Sequence, residues 1–163
     1  MKCLIRSGGT PPFLALLAAI LVAAPIGTHA ADADSTDEVV KALRKLGATQ
    51  IDRDEQAPGK PVLLVDFFGT RNADAAAKEL GKLKDLLTVH LWNTDVTDAG
   101  LKHLAGLSHL QTLHLVKSPV TDAGLKELAA LKELQTLDVG GTGVTETGAK
   151  ELKELLPKCK VLR

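Results

Sequence analysis

The chain has 163 residues, 20 of them basic and 20 acidic, and is 45% apolar with only three Phe, one Trp and no Tyr. That length fits one domain, or two at most. The balanced charge argues against a nucleic-acid binder, and two cysteines are too few for a disulfide framework or a thiolate metal cluster.

Met1 to Arg6 carries two positive charges, and Phe13 to Ala24 follows as an unbroken apolar run. Pro25 and Gly27 break any helix, and Thr28-His29-Ala30 offers small residues where a signal peptidase inspects the chain. The run would span about 18 Å as a helix against a bilayer core of roughly 30 Å. Residues 1–30 therefore read as a signal peptide, and the protein as exported, periplasmic or secreted, with no stable membrane span once the leader is removed. Lys2 and Arg6 leave with the leader, so the mature charge is about −2.

Residues 31–58 read as an amino-terminal cap. Ser35 and Glu38 fit a capping box opening a helix with Val39, Ala42, Leu43 and Leu46 on one stripe, and Gly47 ends it. Gln50 to Asp54 follows as a short strand, and Pro58-Gly59 supplies turn chemistry before Val62–Phe67.

From residue 59 onward the chain repeats itself. Residues 83–106 set above 107–130 are identical in about 14 of 24 columns, including His90 with His114 and the block VTDAGLK. Residues 59–82 and 131–154 keep the same frame more loosely, and 155–163 begin a further coil. Each unit opens on L-x-x-L-x-L, as in Leu110, Leu113 and Leu115, the alternation of a strand with one buried face. A Thr-Asp pair such as Thr121-Asp122 then suits a helix amino terminus, and leucines recur at helical spacing. One strand and one short helix cannot bury their apolar sides alone, so units must stack in register. At the far end, Lys158, Lys160 and Arg163 put charge on the last strand, which discourages pairing at an open edge.

These residues resemble the leucine-rich repeat family, and above all bacterial, cysteine-free proteins with repeats of the form LxxLqtLdLxxTxVTDaGLkxLaxL. The resemblance covers about residues 35–163. It implies an α/β right-handed solenoid, with a parallel β-sheet on the concave face, short helices on the convex face and a helix-strand cap. By analogy alone it also implies a non-catalytic role in binding another protein.

Side chains between the strand leucines point away from the core. One outward column reads Asp66, His90, His114, Asp138 and Leu162; a second reads Phe68, Trp92, Val116 and Gly140; a third reads Leu64, Thr88, Thr112, Thr136 and Lys160. Exposed aromatics mark contact surfaces, so Leu64, Asp66, Phe68, His90, Trp92, His114 and Val116 are the candidate binding residues. The alternatives are a small-ligand binder on the same face, taking a cell-envelope glycan or a divalent metal, and a purely structural protein.

The histidine pair reads as a polar ladder, with Asp66 and Asp138 accepting hydrogen bonds and biasing the imidazoles towards the charged form. No metal or other cofactor is expected. Catalytic patterns are also missing. The run from Gly140 to Gly148 lacks the Lys and hydroxyl of a phosphate loop, no Gly-x-Ser-x-Gly occurs, and Asp66 and Asp138 stand about 14 Å apart. Cys159 lies between Lys158 and Lys160, whose charges favour the thiolate, but a single exported cysteine reads as incidental or as an accidental dimer link.

Overall fold

The computed structural model describes residues 33–163; the leader, 1–30, lies outside the described residues. Eleven elements follow in order: α1 (Ala33–Lys45), β1 (Ala48–Arg53), β2 (Val62–Phe68), α2 (Ala73–Leu80), β3 (Thr88–Trp92), α3 (Asp98–Leu104), β4 (Thr112–His114), α4 (Asp122–Leu128), β5 (Thr136–Asp138), α5 (Glu146–Leu155) and β6 (Lys160–Leu162). All six strands form one sheet in chain order. Strands β2 to β6 run parallel, each shifted from the last by 24 residues: Val65 lies beside Val89, Val89 beside Leu113, Leu113 beside Leu137 and Leu137 beside Val161.

The leucines of each unit meet in one core. Leu110, Leu113 and Leu115 have no exposure, nor do Leu125's neighbours Leu101 and Leu104 one coil earlier. Val62, Val65 and Phe67 occupy the same inward columns in the first coil and are buried with them. A fully buried side chain of this size stabilises the fold by about 1.5–3 kcal/mol, and no single unit supplies enough of them alone.

Helices α3, α4 and α5 open on Thr97, Thr121 and Thr145, whose backbones are extended and whose hydroxyls accept hydrogen bonds from Ala99, Ala123 and Gly148. The aspartates of the repeated block reach further than local capping. Asp74, Asp98 and Asp122 each accept two bonds from the cap threonine of the following coil, one from its backbone N–H and one from its hydroxyl. Helix α2 lacks a threonine: Asn72 caps it with left-handed backbone (φ 68) and no side-chain bond. Asp95 of the next coil fills that role, accepting from the N–H groups of Asn72 and Ala73 at 2.9 and 2.7 Å.

Sheet to helix, each coil turns through a left-handed residue. Gly69, Asn93, Lys117 and Gly141 occupy equivalent positions, all with φ between 54° and 69°. Gly141 therefore belongs to the repeated turn and not to a phosphate loop. Beneath the turns, Thr94 and Ser118 are buried and share a 3.2 Å bond, and Ser118 also donates to the carbonyl of Leu91.

The amino-terminal cap departs from the capping-box expectation. Helix α1 already runs from Ala33, so Ser35 lies inside it and not at its cap. Gly47 has φ 98 and ends the helix. Strand β1 then lies antiparallel to β2, because the Pro58-Gly59 turn reverses the chain; Lys60 N–H reaches Ala57 O at 3.1 Å, with Gly59 at φ 76.

Candidate functional site

The three outward columns form on the strand face. Asp66 lies beside His90, His90 beside His114, His114 beside Asp138 and Asp138 beside Leu162. Leu64 lies beside Thr88, and Phe68 beside Trp92. The backbone continues that last column: Gly69 N–H bonds to Trp92 O, Asn93 N–H to Val116 O, and Lys117 N–H to Gly140 O. The cap strand adds side chains that sequence reasoning did not place on this face. Gln50 pairs with Asp66 and Asp52 with Leu64, and the Gln50 amide donates to Asp52 at 2.8 Å. The signal was present in the alternation of residues 48–53, but without the antiparallel register the facing side chains stayed unassigned.

Two aromatics stand out of this surface, Phe68 at 64% exposure and Trp92 at 40%. Leu64, Asp66, His90, His114 and Val116 are half-buried around them. Trp92 stacks on His114 with ring centroids 5.7 Å apart and planes 12° from parallel. His90 completes the cluster, 4.7 Å from the His114 ring and 5.8 Å from that of Trp92. The seven candidate residues are thus brought onto one face, with the rings packed side by side.

Geometry corrects the electrostatic expectation at His114. Its Nδ1 is buried and has no hydrogen-bond partner among the described residues. Burial, with the neighbouring His90 charge second, holds its pKa below the ordinary imidazole range; the pull of Asp138 and Asp66 is weaker. His114 is therefore biased towards the neutral form and not towards the cation. The carboxylates are placed otherwise: Asp66 approaches His90 Nδ1 only to 3.8 Å, and Asp138 accepts the N–H of Gly140 at 3.0 Å. Among the described residues no group of three His, Cys, Asp or Glu side chains is placed to hold a metal ion.

Cys159 is corrected too. It is buried at 2% exposure, and burial raises its thiol pKa, so the flanking lysines do not make it reactive. The remaining histidines lie elsewhere: His103 is exposed on α3, and His109 pairs with Glu133 at 3.3 Å. No described helix is long and apolar enough to cross a membrane.

Residues 106–129, one full repeat, match the family model for the Leucine Rich repeat. The architecture is a leucine-rich repeat solenoid. Among solved structures, the chain is similar to a leucine-rich repeat protein of Leptospira interrogans, with 24% identity and a TM-score of 0.39. That match covers 52% of this chain and spans 27% of the Leptospira chain. It is also similar to the Mex67:Mtr2 subunits of Chaetomium, with 21% identity, a TM-score of 0.48, and coverage of 61% of this chain and 79% of that one. No curated protein matches it.

Proposed function

We propose that this leucine-rich repeat module is a non-catalytic protein-binding unit of the cell envelope or the exterior, contacting its partner through the concave strand face. The observation that supports it is the registered pair Phe68 and Trp92, exposed side by side on a sheet where, among the described residues, Leu162 on the edge strand is the one other exposed large apolar side chain. Exposed aromatics on a half-polar surface are what a contact needs: apolar area to desolvate, ringed by groups that fix orientation. Asp66, His90 and His114 supply that ring. The amino-terminal leader, with its charged start and short apolar run, supports export.

The test is partner capture from envelope extract by the wild-type protein and by variants. Phe68→Ala with Trp92→Ala should abolish capture and leave the thermal midpoint nearly unchanged, while Leu155→Glu, at an exposed site on α5, retains it. Capture that survives the double substitution refutes the reading. The exposed Trp92 ring also favours a second reading, stacking of a cell-envelope glycan. Calorimetry with cell-wall fragments separates the two.

A further inference from the structure

The charges of the strand face are not mixed as they are over the whole chain. Its outward columns carry the carboxylates of Asp52, Asp66 and Asp138, while the lysine among them, Lys160, stands on the edge strand β6. His114 contributes no positive charge when neutral. The centre of the face is a platform of Trp92, His90 and His114 with Phe68 alongside, and an indole face attracts cations as well as apolar groups. Asp66 and Asp138 flank that platform in one column, on β2 and β5, separated by the two histidine strands.

Spacing turns this into a pattern. Three strand steps of about 4.8 Å put the two carboxylates roughly 14 Å apart. An extended peptide rises about 3.4 Å per residue, so positions i and i+4 also lie roughly 14 Å apart and point the same way. The residue at i+2 then points down between them, onto the rings.

We propose that the occupant of this face is an extended cationic segment of a partner protein, crossing the strands with Lys or Arg at i and i+4 over Asp66 and Asp138 and an apolar side chain at i+2 on the Trp92 platform. This rests on the contact-surface reading above and adds the chemistry of the partner. Thr88, Thr112 and Thr136 line one flank with hydroxyls suited to the peptide backbone.

The experiment is fluorescence anisotropy with three labelled synthetic peptides on the intact protein. One carries Lys-Ala-Leu-Ala-Lys, one the same residues as Lys-Lys-Leu-Ala-Ala, and one Glu-Ala-Leu-Ala-Glu. The first should bind most tightly, the respaced peptide several-fold more weakly and the acidic peptide least, with affinity falling as salt is added. Asp66→Asn and Asp138→Asn should each weaken the first peptide about threefold, as expected of partly exposed ion pairs. Asparagine keeps the oxygen that accepts from Gly140, so the turn after β5 survives in the second variant.

Equal binding of acidic and basic peptides, indifference to spacing, or indifference to both asparagine variants each overturns the cationic assignment. So does absence of binding by all three. Binding without charge selectivity that is still lost in Trp92→Ala leaves the contact surface standing, which separates the two failures.

Discussion

Asp98 holds Thr121 of the next coil with both carboxylate oxygens, one 2.8 Å from the backbone nitrogen and the other 2.6 Å from the hydroxyl. The same threonine hydroxyl accepts from Ala123 and so caps α4 while it donates to Asp98. Gly124 completes the arrangement, because a Cβ there would overlap Asp98 Oδ1 and crowd Leu101. The repeated Thr-Asp-Ala-Gly is therefore an interlock: threonine caps its own helix, aspartate grips the coil after, and glycine admits the aspartate from the coil before.

Gly124→Ala should accordingly destabilise the protein by about 1–2 kcal/mol, although alanine is the better helix former in isolation. With Asp98→Ala already in place, the added cost should shrink or reverse, because the obstructed carboxylate is gone. Urea denaturation of the two single variants and the double measures this. Strict additivity would show that the glycine is there for some other reason.

Acid should loosen the helix starts. Hydrogen bonds from Ala73 and Asn72 lower the pKa of Asp95, and bonds from Thr145 lower that of Asp122, in both cases below the ordinary 3.8. A folded pKa below the unfolded one means stability that is present above pH 3.8 and lost as pH falls through the folded value. Asp95→Asn retains an acceptor without the titration. Its urea midpoint should fall less between pH 5 and pH 2.5 than that of the wild type, and equal falls would count against Asp95.

Trp92 is the only tryptophan and lies stacked on His114, so its fluorescence reports on that ring. An imidazolium quenches indole more strongly than neutral imidazole does. His114, faced by His90, Asp138 and Asp66, is held below its ordinary 6.5, so part of the quenching should set in only below that pH. Stability follows the same sign: the buried neutral form favours the fold above pH 6.5, and that contribution is lost on acidification. In His114→Gln this part of the fluorescence transition should vanish. Its persistence would assign the quenching to His90.

Cys159 should resist thiol reagents in the native state and label fully once unfolded, since it is buried and its thiolate is disfavoured. The labelling rate should rise in step with denaturant-induced opening. Rapid labelling of the native protein at neutral pH would contradict this placement.

Much of the solenoid was legible because leucine spacing is a local signal. Leu110, Leu113 and Leu115 alternate with polar residues, and an offset of 24 carries each strand onto the next, which also placed Phe68 beside Trp92. Less legible were contacts between coils. Thr121 reads as a cap from its own neighbours, but its grip by Asp98, 23 residues earlier, depends on how closely two helices approach. The capping box at Ser35 failed for a related reason: a Ser-x-x-Glu spacing suits a helix start, yet nothing in it prevents the helix from beginning before Ser35.

The sequence by itself determined the repeat frame, the inward leucines and the order of side chains along each outward column, since these follow from period and alternation alone. Tertiary structure decided the antiparallel cap strand that adds Gln50 and Asp52 to the face, the interlock through Gly124, and the direction in which the His114 pKa is pushed. Each of those depends on the distance between atoms far apart in the chain. Desolvation of an imidazole stacked on Trp92 is set by packing, which no column of residues records.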